Sequence, residues 1–209
     1  MPVPSLMFVA HPGPEIERIA EAAVKGGVNI VRLRKDPLGA GEWTPELTES
    51  LALRLRGRAI VLTCAADIGE SPLIGDGIHL READNRHRNV FDHPDLAGRL
   101  IGRSVHSVDA AKAAVERGAD YLIAGTVYDT ESHPGLAGSG VDHLHSICQA
   151  VDIPVIAIGG ITVERVPACI EAGAAGVAII SPIVNAKNPR RIAAQYRASL
   201  DIIWRGKGG

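Results

Sequence analysis

The chain has 209 residues, enough for two small domains or one α/β barrel, and no Pro/Gly/Ser-rich linker or shift of composition divides it. A formal charge of -2 without long like-charge runs excludes a broad basic surface for nucleic acid, and no apolar stretch reaches the length of a membrane span. Hydrophobic residues make up 46% but aromatics only 3%, so the core must be assembled from Ala, Val, Ile and Leu, as layered barrel packing prefers.

In chain order the expected elements alternate. A first strand at about 6–10 ends at His11 and leads to an amphipathic helix, Glu15–Lys25. A second strand at 28–33 carries Arg32, with Arg34 just beyond it, and precedes a helix over Glu46–Arg56. Strands at 59–63 and 77–80 follow, the latter containing His79. Stretch 81–99, rich in Arg, Asp, Asn and His, reads mostly as loop with a short helix. The fifth strand, 100–104, ends in Ser104 and His106, and Ser107 is a good N-cap for a helix over Val108–Arg117. A sixth strand at 120–124 opens into the long glycine-rich loop Gly125–Gly140, then a helix over Val141–Val151. Strand 154–158 stops at Gly159-Gly160 before a helix over Val163–Ala172. Strand 176–180 stops at Ile180-Ser181, and a closing helix covers Asn188–Ile203.

Three helix ends share one phrase: Gly, a short polar or small pair, then a strand. Gly26, Gly118 and Gly173 stand where a helix end needs positive φ. Eight such units in one domain, residues 1–209, indicate a (β/α)8 TIM barrel. An open doubly wound sheet would place its glycine fingerprint after the first strand, where His11-Pro-Gly-Pro14 does not fit. Cys64, Cys148 and Cys169 are odd in number and far apart, without C-x-x-C, which favours a reducing cytoplasm over disulfides or zinc. The first ten residues lack the charge pattern of a signal peptide.

In such a barrel the strand C-terminal ends form the active mouth. The glycine junctions Gly159-Gly160 and Ile180-Ser181 leave backbone amides open ahead of helices, an arrangement that takes a phosphate; the plain alternative is two tight turns. Arg32 and Arg34 alternate with apolar neighbours, so both face inward and either bind an anion or pair with a carboxylate across the barrel. Ser104, Thr126, Thr130 and Ser132 are the hydroxyls expected near substrate, and His106, His133 and His79 are the candidate proton carriers. His79, inside a strand, reads more readily as a satisfied core histidine than as a substrate contact. The Gly125–Gly140 loop reads as a flap bringing Thr130, Ser132 and His133 over the ligand.

The segments Val31-Arg-Leu-Arg34, Gly77-Ile-His-Leu80, Gly102-Arg-Ser-Val-His-Ser107, Gly118-Ala-Asp-Tyr121, Pro154-Val-Ile-Ala-Ile-Gly-Gly-Ile161 and Gly176-Val-Ala-Ile-Ile-Ser181, in this order, resemble the thiamin phosphate synthase/TenI family. The resemblance implies a thiazole phosphate as small-molecule partner, held at Gly159, Gly160 and Ser181. It also implies one of two chemistries. Synthases join a hydroxymethylpyrimidine diphosphate to a thiazole phosphate with Mg2+; TenI-like tautomerases shift a proton on a carboxylated thiazole phosphate.

The chain departs from both patterns. Asp36 and Cys64 stand where synthases carry a phosphate-binding Lys and a metal carboxylate, His133 replaces a flexible-loop Lys, and Asp84 matches one remaining acidic position. The ending Gly135-Leu-Ala-Gly-Ser-Gly140 is similar to the TenI branch, yet Thr126 occupies the position of the tautomerase histidine. The sequence therefore favours a TenI-like tautomerase using another histidine and no cofactor. A divergent synthase, the one reading that brings in Mg2+, and a non-catalytic ligand sensor remain as alternatives. No nucleic acid or membrane partner is expected, and a homo-oligomer is left open.

Overall fold

The computed structural model describes residues 1–35, 41–64, 73–83, 94–130, 135 and 137–207. Eight strands pair in parallel, each with the next in sequence, and β8 returns to β1 to close the barrel. The strands are β1 Ser5–Ala10, β2 Ile30–Leu33, β3 Ile60–Cys64, β4 Gly77–Leu80, β5 Leu100–Val105, β6 Tyr121–Ala124, β7 Val155–Ile158 and β8 Gly176–Ile179. The helices are α1 Ile16–Lys25, α2 Pro45–Leu55, α3 Val108–Glu116, α4 Val141–Gln149, α5 Val166–Glu171, α6 Ser181–Val184 and α7 Pro189–Lys207. No helix among the described residues is long and apolar enough to cross a membrane.

Strand periodicity sorts the core into two layers. Met7, Val9, Ile30, Leu62, Tyr121, Ile123, Ile156 and Ala178 fill the barrel interior. Their strand neighbours, such as Phe8, Val31, Val61, Leu122 and Val177, face outward into the layer beneath the helices. The helices answer with narrow stripes at helical spacing: Ile16, Ala20 and Ala23 on α1, and Ala193, Tyr196 and Leu200 on α7. Small alanines let α1 and α7 lie close to the strands, which is how a core poor in aromatics reaches interior density.

The end of the barrel at the strand N-termini is tied by a recurring side-chain bond. Asn29, just before β2, accepts from the amide of Leu6 at 2.9 Å. Asp76 does the same for Val61 at 2.8 Å, and Asp120 for Ile101 at 2.7 Å. Each Asx precedes an even-numbered strand and satisfies an amide at the start of the odd-numbered strand before it. The second strand begins at Ile30 and not at 28, and Asn29 ahead of it also donates its side-chain amide to the carbonyl of Pro4 at 3.1 Å.

Two local expectations change. Gly26 does not take the positive φ; it ends α1 at φ -90, and Gly27 turns the chain at φ 108. Gly26 is needed for room, because a Cβ there would lie 2.3 Å from the carbonyl oxygen of Arg190. The segment read as one helix over Val163–Ala172 is a 3-10 turn, Val163–Arg165, followed by α5, because Pro167 fits only the first turn of an α-helix. Within 81–99 the described helical piece is the 3-10 turn Pro94–Leu96. Ser107 does cap α3, accepting from the amide of Ala110 at 3.1 Å.

Candidate functional site at the strand C-terminal ends

A cavity of about 1070 Å³ opens where the strands end. Its walls carry the guanidiniums of Arg32, Arg34, Arg81 and Arg165 against the carboxylates of Glu82 and Asp129. Among the described lining residues four cations stand against two anions, an excess of positive charge on a chain whose overall charge is -2. An anion is therefore attracted locally and not by the general field. Apolar groups, among them Ile123, Ile158, Ala178 and Ile180, line the same space and lower its dielectric.

The β7 end is shaped by close approach. Val127 and Tyr128 donate their amides to the carbonyls of Ile158 and Gly159 at 2.9 and 3.1 Å, so the segment after β6 lies directly on the glycines. A Cβ on Gly160 would lie 2.3 Å from the carbonyl oxygen of Asp129, and Gly159 and Gly160 adopt φ 103 and 60. Both glycines are thus required by backbone conformation and by packing, whatever they bind. Among the described residues the amides of Gly160 and Ser181 donate to no protein carbonyl, so this corner can receive an anion's oxygens. Arg165 stands beside it: its guanidinium lies 4.4 Å from the centre of the Tyr128 ring and donates to the carbonyl of Gly160 at 2.6 Å.

Across the barrel, Arg32 is buried on the interior face of β2. Period-2 alternation on β4 puts His79 inside as well, 2% exposed, with Nδ1 2.9 Å from the Tyr121 hydroxyl and Nε2 2.9 Å from the Ser104 hydroxyl. Burial, reinforced by the charges of Arg32 and Arg34, drives its pKa well below the ordinary histidine value, so the ring is neutral. His79 does not line the cavity; Ser104 does.

His106 is exposed at the mouth. Its Nδ1 is bonded to the carbonyl of Gly125, which can only accept, so Nδ1 carries a proton and Nε2 is the nitrogen left for a ligand. The backbone around it is fixed by Glu82, which accepts the His106 amide at 2.7 Å, and by His143, whose Nε2 donates to the His106 carbonyl at 3.0 Å. The two ends of the Gly125–Gly140 loop are tied together: Ser139 and Gly140 donate to the carbonyls of Thr126 and Val127, and Asp129 accepts from the amide of Gly138.

Of the residues expected at the site, Arg32, Arg34, Ser104, His106, Thr126, Thr130, Gly159, Gly160, Ile180 and Ser181 all line the cavity. His79 lies one step below it, and Asp36, Asp84, Ser132 and His133 fall outside the described residues. Arg81, Glu82, Ser139 and Arg165 also line the cavity. Arg81 continues the inward alternation of 77 and 79, which was a usable signal. Arg165 was not recognisable, because its position depends on how the helix after β7 tilts over the mouth.

The family model described as thiamine monophosphate synthase matches residues 6–183. The chain is 35% identical to a thiamine-phosphate synthase of Natronomonas pharaonis over 87% of each chain. It is also 35% identical to one of Salinibacter ruber over 90% of this chain and 82% of the relative. Among solved structures it is similar to a thiamine phosphate pyrophosphorylase from Pyrococcus furiosus, with TM-score 0.78 and 25% identity, covering 95% of this chain and 96% of the other. The 3-hexulose-6-phosphate synthase of Salmonella typhimurium shares the fold alone, at TM-score 0.74 and 18% identity.

Proposed function

The chain belongs to the thiamine monophosphate synthase family, and we propose that it is a transferase coupling a hydroxymethylpyrimidine diphosphate to a thiazole phosphate. The observation that carries this reading is that guanidiniums line the cavity from two sets of strand ends. Arg165 accompanies the Gly160 and Ser181 amides after β7 and β8, and Arg32, Arg34 and Arg81 come from the ends of β2 and β4. A diphosphate beside the thiazole phosphate carries more charge than the single carboxylate of a carboxylated thiazole phosphate, and three guanidiniums match the larger charge. The relatives named thiamine-phosphate synthase, at about a third identity over most of their length, support the same reading.

The chemistry suits the residues. The carbon–oxygen bond to the diphosphate breaks, pyrophosphate leaves with the electron pair, and the lone pair of the thiazole nitrogen closes the new carbon–nitrogen bond. No proton need be removed, so Thr126 in place of a histidine costs this reaction nothing. The developing charge on the leaving group is what must be stabilised, and preorganised guanidiniums and hydroxyls in an apolar-walled site do that. Apolar walls at Ile123, Ile158 and Ile180 keep water from capturing the pyrimidine carbon. This reading replaces the tautomerase as the preferred one.

Mg2+, which the family resemblance implies, takes hard oxygen ligands in a near-octahedral set. Glu82 and Asp129 are the described carboxylates at the cavity, and each already accepts a backbone amide. The Cys64 thiol at the end of β3 donates to the Leu33 carbonyl, and among the described residues no three His, Cys, Asp or Glu cluster to hold a metal. These described residues do not by themselves fit the ion.

A proton shift on the thiazole is the second reading. It is favoured by His106, an imidazole at the mouth whose Nδ1 is held by the Gly125 carbonyl and whose Nε2 is left for the ligand. One experiment separates the two: both precursors are supplied with and without Mg2+ in D2O, and thiamin phosphate, pyrophosphate and thiazole deuteration are followed. Equimolar thiamin phosphate and pyrophosphate support coupling. Deuteration without coupling reverses the assignment.

A further inference from the structure

Strand register aligns His79, Gly102 and Tyr121 in one row across β4, β5 and β6. The middle member has no side chain, and that is what joins the outer two. A Cβ on Gly102 would lie 1.9 Å from Cζ and 2.3 Å from the hydroxyl oxygen of Tyr121, so the phenol crosses β5 through the space the glycine leaves. It reaches His79 Nδ1 at 2.9 Å, and the two rings stand 5.6 Å apart at 39°. On the other side, His79 Nε2 meets the Ser104 hydroxyl at 2.9 Å, one layer nearer the mouth. Three polar groups thus run in a chain from the barrel core to the cavity wall.

The direction of the protons along this chain follows from donor and acceptor accounting. Tyr121 is 0% exposed, and burial pushes its pKa above the ordinary phenol value, so the hydroxyl keeps its proton. Among the described residues its one hydrogen-bond partner is His79 Nδ1. A buried O–H left without an acceptor is costly, so the phenol donates and Nδ1 accepts. A neutral imidazole that accepts at Nδ1 carries its hydrogen on Nε2. Nε2–H then donates to Ser104 Oγ, and the serine's own hydrogen is released toward the cavity. In the reverse order the phenol proton would be stranded, and Ser104 would show the cavity only lone pairs, which repel an anion.

We infer that Tyr121 is a positioning residue that, through His79, turns the Ser104 hydroxyl into a hydrogen-bond donor for an anionic phosphate oxygen in the cavity. The identity of that anion as a diphosphate rests on the coupling reading; the tautomer does not. Because the row is set by barrel register and by Gly102, the donor direction is fixed before any ligand arrives.

The test is nitrogen NMR of the full chain labelled in its histidines, paired with calorimetry using inorganic pyrophosphate as the probe. In the parent, His79 should show a protonated Nε2 and a bare Nδ1 near neutral pH; the opposite tautomer overturns the inference. Tyr121→Phe removes the donor, and the expected result is a mixed or inverted tautomer with pyrophosphate binding weakened on the order of 10-fold. A role in packing alone would lower the melting temperature and leave tautomer and pyrophosphate affinity unchanged, and that result also overturns it. Ser104→Ala should lose the same affinity and Ser104→Thr, which keeps the hydroxyl, should retain most of it; if Tyr121→Phe does not fold, the parent's tautomer and this pair decide. A parent that binds pyrophosphate with the expected tautomer but makes no thiamin phosphate would sink the coupling reading and leave this inference standing. A parent that does not bind pyrophosphate overturns both.

Discussion

Replacing Arg165 by Gln removes one guanidinium from the β7 end of the cavity and leaves a shorter, neutral side chain that still carries an amide donor. Arg165 is exposed, 4.4 Å over the Tyr128 ring and 2.6 Å from the Gly160 carbonyl. An exposed cation–π contact is worth about 0.5–1 kcal/mol, and an exposed hydrogen bond about 0.5–1.5 kcal/mol. The folded state should therefore lose about 1–2.5 kcal/mol at most, a fall in Tm of roughly 2–10 °C for a chain of this size. Binding should suffer differently. A charge-assisted hydrogen bond to phosphate contributes about 1.5–3 kcal/mol, so the thiazole phosphate should bind roughly 10–150-fold more weakly. Substituting Gly160 would be a poorer probe, because any Cβ there meets the Asp129 carbonyl and the backbone needs φ 60. The assay is calorimetry at 25 °C with thiazole phosphate and with the corresponding alcohol, which lacks the phosphate. The alcohol should bind parent and variant alike. Equal weakening of both ligands would falsify the placement of the phosphate at the Gly159–Gly160 corner.

Three further outcomes are expected. His106→Asn should reduce any proton exchange at the thiazole by about 10²–10⁴-fold while affecting coupling far less, since coupling removes no proton; parallel losses in the two assays would argue that both use the same group. Asp120→Ala strips the acceptor from the Ile101 amide at the strand N-terminal end, and urea unfolding should show a loss of about 1.5–3 kcal/mol with cavity binding preserved; a loss near zero would mean water replaces the carboxylate. Stability should fall with acid through His79. Its pKa is lowered in the folded state, so below the unfolded value near 6.5 the unfolded chain binds a proton that the folded chain does not. The contribution is fully present above that pH and is lost as pH drops below it, by no more than about 1.4 kcal/mol per pH unit. The slope should be absent in His79→Gln, and an unchanged slope would assign the acid sensitivity elsewhere.

The eight strands and their order were legible because each signal is local. Period-2 alternation placed Arg32 inward with Ile30, β-branched runs such as Val155–Ile158 marked strands buried on both faces, and Ser107 announced α3 by the hydroxyl an N-cap requires. The glycine junctions were legible for the same reason: φ of 103 and 60 is a property of two adjacent residues. Neighbouring residues likewise gave most of the cavity wall, because in a parallel barrel every strand end reaches the same face. The balance between two chemistries was not legible from the departures at Thr126 and Cys64. Those are single substitutions, whereas the cationic balance of the mouth is a sum over residues from distant elements, Arg81 and Arg165 included.

The sequence by itself determined what stereochemistry settles within a few residues: strand, helix, cap, turn and inward or outward face. Only the tertiary structure decided which inward residues meet. His79, Gly102 and Tyr121 are separated by 23 and 19 positions, and nothing local says that they share a row. Their meeting depends on the register in which β4, β5 and β6 pair, and a shift of one residue in any strand would turn its side chain to the other face. Barrel closure fixes that register through all eight strands at once, which is why a glycine that reads as an ordinary strand residue becomes the opening through which a tyrosine sets a histidine's proton.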